Sequence, residues 1–367
     1  MSRKLENKAT VHLICTQPNR YSSLSEKLPA VQQEGNLIIY RVDVPQHGNN
    51  FFMQLRSFFY YQREVMRIIR NIPVSFIFVS TSKLFTGYLA YRISKSKIIP
   101  YYLDLRDLFA DNLRELIKIP ILNWIASKFV QMFFEKPTLI HAKHININSE
   151  GFRKNIPSNF AGSLSFFPNG IDDEFNEWHQ SIQIENTKKI ICYAGNIGEG
   201  QGLDKIIPQL AQSLKETHQF IIIGEGSSKQ KLIDQIHKLG LTNVDLIPAM
   251  KRNQLLAYYQ KAHYLFLHLN DFRSFEKVIP SKIFEYGSGN IPILAGVKGY
   301  AKEFIETELK ENVFVFNPCD VEAVRNYLIN QPYRLQERVE FKNKFSRKEI
   351  TGKMSDSIIQ VMNRKNA

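Results

Sequence analysis

The chain has 367 residues, 44% of them hydrophobic and 23% charged, a composition that fits a folded protein and excludes a disordered one. Its length exceeds one ordinary core and suits two domains. The formal net charge of +13 is unevenly spread, with 22 Lys+Arg against 11 Asp+Glu in residues 1–170 and 26 against 24 in residues 171–367. A basic first half beside a near-neutral second half points to an anionic partner for the first half alone, either nucleic acid or an anionic membrane face.

Cys15, Cys192 and Cys319 are far apart and odd in number, so no disulfide framework or zinc spacing can be drawn from them, and a reducing compartment is expected. The N-terminus, MSRKLENKATVHLICT, lacks the apolar core of a secretory signal, and no run approaches the about 18 apolar residues of a membrane span. The expectation is a cytoplasmic protein, peripheral on the inner face of the plasma membrane.

In chain order, β-like apolar runs at 11–15, 37–42, 75–80, 99–104, 138–147 and 164–167 alternate with longer mixed segments, and the rhythm repeats at 189–194, 219–223, 244–247, 264–267, 291–295 and 313–316. Strands separated by helices mean parallel sheets, and two such series predict two doubly wound domains with ligands at the C-terminal strand edges. The turn-rich cluster Pro168-Asn169-Gly170-Ile171-Asp172 marks the joint. The predicted division is 1–170, 171–345, and a C-terminal helix in 346–367 that packs back on the first domain.

Two aromatic, basic segments interrupt the first series: FFMQLRSFFYYQREVMRIIR at 51–70 and IKIPILNWIASKFVQMFF at 117–134. Each reads either as an amphipathic helix packed on a sheet or as a helix lying in a membrane interface with its lysines near anionic headgroups; together, on the charged half, they favour the membrane face. No helix-turn-helix, RNA-binding aromatic signature or zinc finger supports nucleic acid.

In the second series the first strand runs into Gly195-Asn196-Ile197-Gly198-Glu199-Gly200-Gln201-Gly202 and a helix from Leu203, a strand–glycine loop–helix context in which backbone can approach a phosphate. Its spacing is neither the dinucleotide fingerprint nor a P-loop. Gly224-Glu225-Gly226 is a second turn where backbone must pass close to something, and Lys251 and Arg252 follow a strand end suited to a nucleobase edge. The stretch FEKVIPSKIFEYGSGNIPILAGVKGY at 275–300 then reads as a loop, a short helix opened by Pro280 and capped by Ser281, a glycine stop and a buried strand. Its helix presents Lys282 and Glu285, either as a ligand-binding cation and acid or as a plain i,i+3 surface pair.

YAGNIGEGQGLD, IIIGEG and VIPSKIFEYGSGNIPILAG resemble the donor half of family 4 glycosyltransferases, whose GT-B fold sets two Rossmann-like domains face to face across a cleft. The likeness is to bacterial transferases that build O-antigen or capsule units on a lipid carrier, including those using UDP-N-acetyl-L-fucosamine-type donors. LDLRDLFADNL and FPNGID extend it over nearly the whole chain. The resemblance implies that Glu285 holds the nucleotide ribose, that Ser281 and Lys282 meet the diphosphate, and that Gly195 and Gly198 lie beside the phosphates. Two positions depart from the family. Where it has a first glutamate, eight residues before the second, this chain has Lys277, with Glu276 the nearest acid; and its first glycine loop offers Asn196 and Gln201 in place of cations. Lys282, with Lys277 or Arg273, must then supply the positive charge.

The expected donor site therefore comprises Gly195, Asn196, Gly198, Gly224, Gly226, Lys251, Lys277, Ser281, Lys282 and Glu285, with Lys282, Glu276 and Asp107 nearest the chemistry. His47, Asp104 and Arg106 are acceptor candidates, with a local Asp–Arg ion pair as the alternative for the last two. The implied reaction is transfer, with retention, of a sugar from UDP to a lipid-linked saccharide, the leaving phosphate itself taking the acceptor's proton, with no metal or other cofactor. The alternatives are a GT-B enzyme using another nucleotide sugar, an epimerase on that fold, or a non-catalytic nucleotide- or polyanion-binding protein.

Overall fold

A computed structural model of the chain describes residues 5, 9–17, 28–45, 51–81, 84–108, 110, 120–175, 178 and 188–364. It divides into two units, the first of residues 1–147, 156–165 and 351–367 and the second of residues 148–155 and 166–350.

In the first unit β1 (Val11–Thr16) pairs in parallel with β3 (Leu37–Val42), and β2 (Val31–Glu34) pairs antiparallel with β3 through a tight turn at Gly35, whose φ is +58°. β2 went unread in the sequence because VQQE is polar and mostly exposed; only its pairing makes it a strand. A four-stranded sheet follows, ordered β4 (Ile77–Thr81), β5 (Tyr101–Leu105), β6 (His144–Ile147), β7 (Ser163–Phe166), with β5 wholly buried. The run 138–147, expected as one strand, is instead the end of a helix, Lys136–Ile140, and then β6. Pro137 in the helix's first turn sets φ for the helix, which ends at His141.

Both aromatic segments are helical over their described residues, 51–70 and 120–134. Phe51–Arg70 buries Val65 and Ile69 against Leu89 and Ile93 of the Leu84–Lys97 helix. Pro120–Val130 widens into a π-helical turn, Gln131–Glu135, before the Lys136–Ile140 helix. The C-terminal helix Arg347–Asn363 starts in the second unit, and its residues from Thr351 belong to the first, where Ser357 Oγ lies 3.5 Å from Tyr102 Oη.

The second unit is one sheet, β10 (Val244–Ile247), β9 (His218–Ile223), β8 (Lys189–Ala194), β11 (Tyr264–His268), β12 (Ile293–Gly296), β13 (Val313–Phe316), parallel throughout. Its core alternates across the strands as period two requires. Cys192, Ala194, Leu265 and Leu267 pack on one face with Ile283 and Phe284, and Ile191, Tyr193, Tyr264 and Phe266 on the other with Leu203, Ile207 and Leu210. Counted from β8, the strand order is 3-2-1-4-5-6. In such sheets the chain turns opposite ways from the two central strands, and their C-terminal ends open a crevice where ligands bind. Here those strands are β8 and β11.

Candidate functional site

β8 delivers Gly195 to this switch point and β11 delivers His268 and Asn270. An added Cβ on Gly195 would lie 3.6 Å from Lys282 Cε, so the first glycine loop and the Lys282–Gly287 helix meet there. Lys282 Nζ is 2.7 Å from Glu285 Oε1 and 3.2 Å from Tyr259 Oη, and the Tyr259 hydroxyl donates to the same Glu285 oxygen. The ammonium also stands 5.7 Å from the Tyr286 ring centre, and Tyr286 Oη accepts the Ala194 N–H at 3.1 Å. Burial, with Glu285 nearby, holds both phenols well above the ordinary tyrosine range, and burial pushes the Cys192 thiol beneath them up to about 12. All three stay neutral, leaving Lys282 and Glu285 as the charges of the cluster. Among the described residues the bonds to Glu285 fall on Oε1, so Oε2 is available to a ligand hydroxyl.

The short helix departs from the sequence reading in two respects. Ser281 stands at its N-cap position but makes no side-chain capping bond, and Pro280 precedes the cap instead of occupying the first turn. With six residues, the helix also has little dipole to offer an anion; any attraction there rests on the Lys282 charge.

The glycines serve the loops themselves first. A Cβ on Gly224, whose φ is +152°, would fall 1.8 Å from Gly195 O, and one on Gly226 would fall 2.4 Å from the Ile197 backbone. The close neighbour anticipated for that second turn is therefore the first glycine loop. The N–H groups of Gly195 and Ile197 donate to Ile223 O and Glu225 O, and Gly198 N–H points to Gln201 Oε1 at 3.3 Å. Asn196 donates to Gln201 Oε1 at 2.8 Å, and Glu225 pairs with Lys229 at 2.7 Å. These N–H groups cannot also cradle a phosphate without the loop rearranging.

Three residues passed over in the sequence hold this loop in place. His268 Nε2 accepts the Cys319 N–H at 2.9 Å, so Nδ1 carries the proton and donates to Gln201 O at 2.6 Å; burial depresses its pKa to about 4. Asn270 donates to Glu199 O and its N–H to Gly200 O, and Lys205 Nζ reaches Asn270 Oδ1 at 2.9 Å. Lys205 thus adds an exposed cation beside the loop that its own residues lack. The signal was legible as polar residues at the end of an otherwise apolar strand, LFLHLND.

Glu276 and Lys277 lie in a 3₁₀ turn, Arg273–Lys277, fixed from both sides. Gly299 abuts the Glu276 backbone, while Gly151 abuts the Lys277 backbone and Ser149 Oγ donates to Lys277 O. The Phe275 ring lies on Gly200, which brings this turn to the glycine loop with the Glu276 side chain exposed. Lys251 stands apart: it is exposed, follows the edge strand β10 as the N-cap of the Arg252–Lys261 helix, and gives its N–H to Gln254 Oε1.

In the first unit Asp104 is buried and occupied. Its carboxylate accepts from Ser80 Oγ at 2.8 Å, Asn146 Nδ2 at 2.8 Å and Arg106 Nε at 2.7 Å. The local ion pair is thus the arrangement found. Both Asp104 oxygens are engaged, and the carboxylate orients Arg106, whose side chain is 42% exposed. Asp107 accepts the Leu108 N–H at 2.8 Å and lines a small, largely apolar cavity with Glu135 and Thr138. His47 lies outside the described residues.

Comparison with known proteins finds relatives of this geometry. Residues 174–349 match the family described as Glycosyl transferases group 1. The match lies within the second unit, which is thus similar to a group 1 glycosyltransferase domain. The Escherichia coli K12 protein WcaI, described as a colanic acid biosynthesis glycosyl transferase, is 29% identical over 132 residues, a match that spans 34% of this chain and 32% of that protein. Among solved structures, sucrose-phosphate synthase from Thermosynechococcus elongatus is 12% identical with a TM-score of 0.72, over 99% of this chain and 93% of that one. Anabaena HepE, in complex with UDP and glucose, is 12% identical with a TM-score of 0.62, over 88% and 86%. The chain therefore has the GT-B fold, with two Rossmann-like units.

Proposed function

We propose that this chain is a glycosyltransferase of surface-polysaccharide synthesis that moves a sugar from a UDP donor to a lipid-linked saccharide with retention at the anomeric carbon. The observation that carries this reading is the Lys282–Glu285 pair seated on Tyr259 beside Gly195, at the switch point of a glycosyltransferase domain. In this reading Glu285 Oε2 takes the ribose hydroxyls, and the ammonium of Lys282 turns its remaining proton to the diphosphate, as does Lys205 from the other side of the loop. An acceptor oxygen bonds to the anomeric carbon as the bond to the UDP oxygen breaks. UDP leaves with that bond's electron pair, and its phosphate takes the acceptor's proton. The protein's part is to position both substrates and to place fixed positive charge where the leaving group becomes more negative.

The donor sugar is proposed to be an N-acetylated deoxyhexosamine, the class used by the bacterial transferases that the PSKIFEY stretch resembles. The test is a panel of nucleotide sugars read by UDP release with a lipid-carrier acceptor present. UDP release from an N-acetylated deoxyhexosamine donor that depends on acceptor supports the reading. Release from no donor, with thermal stabilisation by DNA and none by nucleotides, overturns it in favour of a polyanion-binding protein.

A further inference from the structure

We propose that the Pro120–Val130 helix and the turn after it form a bilayer-contact element that seats the first unit on an anionic lipid surface. Ile121, Trp124, Ile125, Phe129, Met132 and Phe133 all stand at the surface, from 49% exposed at Phe133 to 75% at Ile121. The opposite side of the helix is the anchored one: Ser127 is buried and donates to Ala110 O at 2.9 Å, and Glu135 Oε1 accepts the Ala110 N–H at 2.8 Å. The helix is thus held by its polar side and shows its apolar side outward, the reverse of a helix packed on a sheet.

This face is continuous with its neighbours. Phe134 packs edge-on to Phe85 with centroids 5.7 Å apart, Phe85 stacks on Phe58 at 4.6 Å, and Phe58 adjoins Phe59, which is itself 58% exposed. An apolar patch of this extent on a soluble protein marks a contact surface.

Charge identifies the occupant. The helices Phe51–Arg70, Leu84–Lys97 and Pro120–Val130 together carry eight Lys and Arg against a single acid, Glu64. Lys128 rises from the middle of the apolar arc and is exposed, where its stem can lie along the tails while the ammonium reaches the headgroups. A second copy of the chain would set these cationic helices against one another, whereas an anionic bilayer complements them. Among the described residues no helix is long and apolar enough to cross a membrane, so the contact is interfacial. The proposal connects to the lipid-linked acceptor of the preceding section, but its test uses no sugar donor or acceptor, so either reading can fail alone.

The full chain is sedimented with vesicles of phosphatidylcholine, with and without phosphatidylglycerol, at low and high salt. Trp124 fluorescence is followed in the same vesicles made with brominated lipid; the other tryptophan, Trp178, is buried. Expected results are recovery at least about tenfold greater with anionic vesicles at low salt, and bromine quenching that disappears in Trp124→Phe. The Ile125→Glu/Phe129→Glu variant, altered at exposed positions, should keep its circular dichroism and lose vesicle binding about tenfold or more. Equal recovery with neutral vesicles, absence of quenching, or vesicle-independent dimerisation that the double variant abolishes would each overturn the proposal.

Discussion

Lys282 and Glu285 neutralise each other across one helical turn, 2.7 Å apart, with the Tyr259 hydroxyl donating to the same carboxylate oxygen. An ammonium held this way loses little side-chain freedom when a ligand arrives, so its charge is already aimed. In the proposed reading Glu285 keeps one oxygen for the ligand while the other restrains the lysine.

Replacing these two residues should separate chemistry from binding. Lys282→Ala removes the charge facing the leaving group, and kcat/KM for the donor should fall on the order of 10²-fold. Glu285→Gln keeps the shape but loses the anion, and UDP affinity should weaken by about tenfold, with a stability loss of about 1–3 kcal/mol from the partners it leaves behind. Steady-state UDP release and UDP calorimetry check both, and near-normal turnover in both variants would remove the site assignment.

Gly224→Ala should be severe and Gly240→Ala mild. At Gly224 the new methyl would meet Gly195 O at 1.8 Å, whereas Gly240, at φ +59°, has nothing within 4 Å. The first should cost about 2–4 kcal/mol and displace the glycine loop, and the second about 1 kcal/mol for the strained backbone alone. Denaturant unfolding of the two variants gives the comparison, and equal losses would contradict the packing account.

Acid should destabilise the fold through its buried histidines. Burial depresses the pKa of His144, His218 and His268 to about 4 each. Each stays neutral in the fold while the unfolded chain protonates below the ordinary value of about 6.5. Their contribution is therefore complete above about pH 6.5, declines as pH falls through the window down to about 4, and changes no further below it. Melting temperature against pH should show this slope, and His268→Gln should flatten part of it; a flat profile in the parent would contradict the burial argument.

The proposed reaction draws its positive charge from lysines. EDTA treatment should leave UDP release unchanged, and the reading would fail if activity vanished on chelation and returned with a divalent cation.

The second unit was unusually legible. The runs 189–194, 244–247 and 313–316 and the helix start at Leu203 match the structure because short β-prone runs separated by helical segments read as the strands of a parallel sheet. What stayed hidden was non-local. His268 owes its place to Gln201 and Cys319, and Asn270 to Glu199 and Lys205, partners that no motif spacing links. The setting of Asp104 depends on Ser80 and Asn146, which lie on the strands to either side, as well as on Arg106 just past the end of its own strand. Helical spacing in 117–134 also looks the same whether the apolar side faces a sheet or the outside; the exposure of Ile121 and Trp124 separates the two.

The most direct measurement of the central claim is a crystal structure of the chain with UDP bound. The account predicts the ribose hydroxyls at hydrogen-bond distance from Glu285 Oε2 and the diphosphate facing Lys282 Nζ beside Gly195. UDP bound elsewhere, with the Lys282–Glu285 pair closed on itself and facing water, would contradict it.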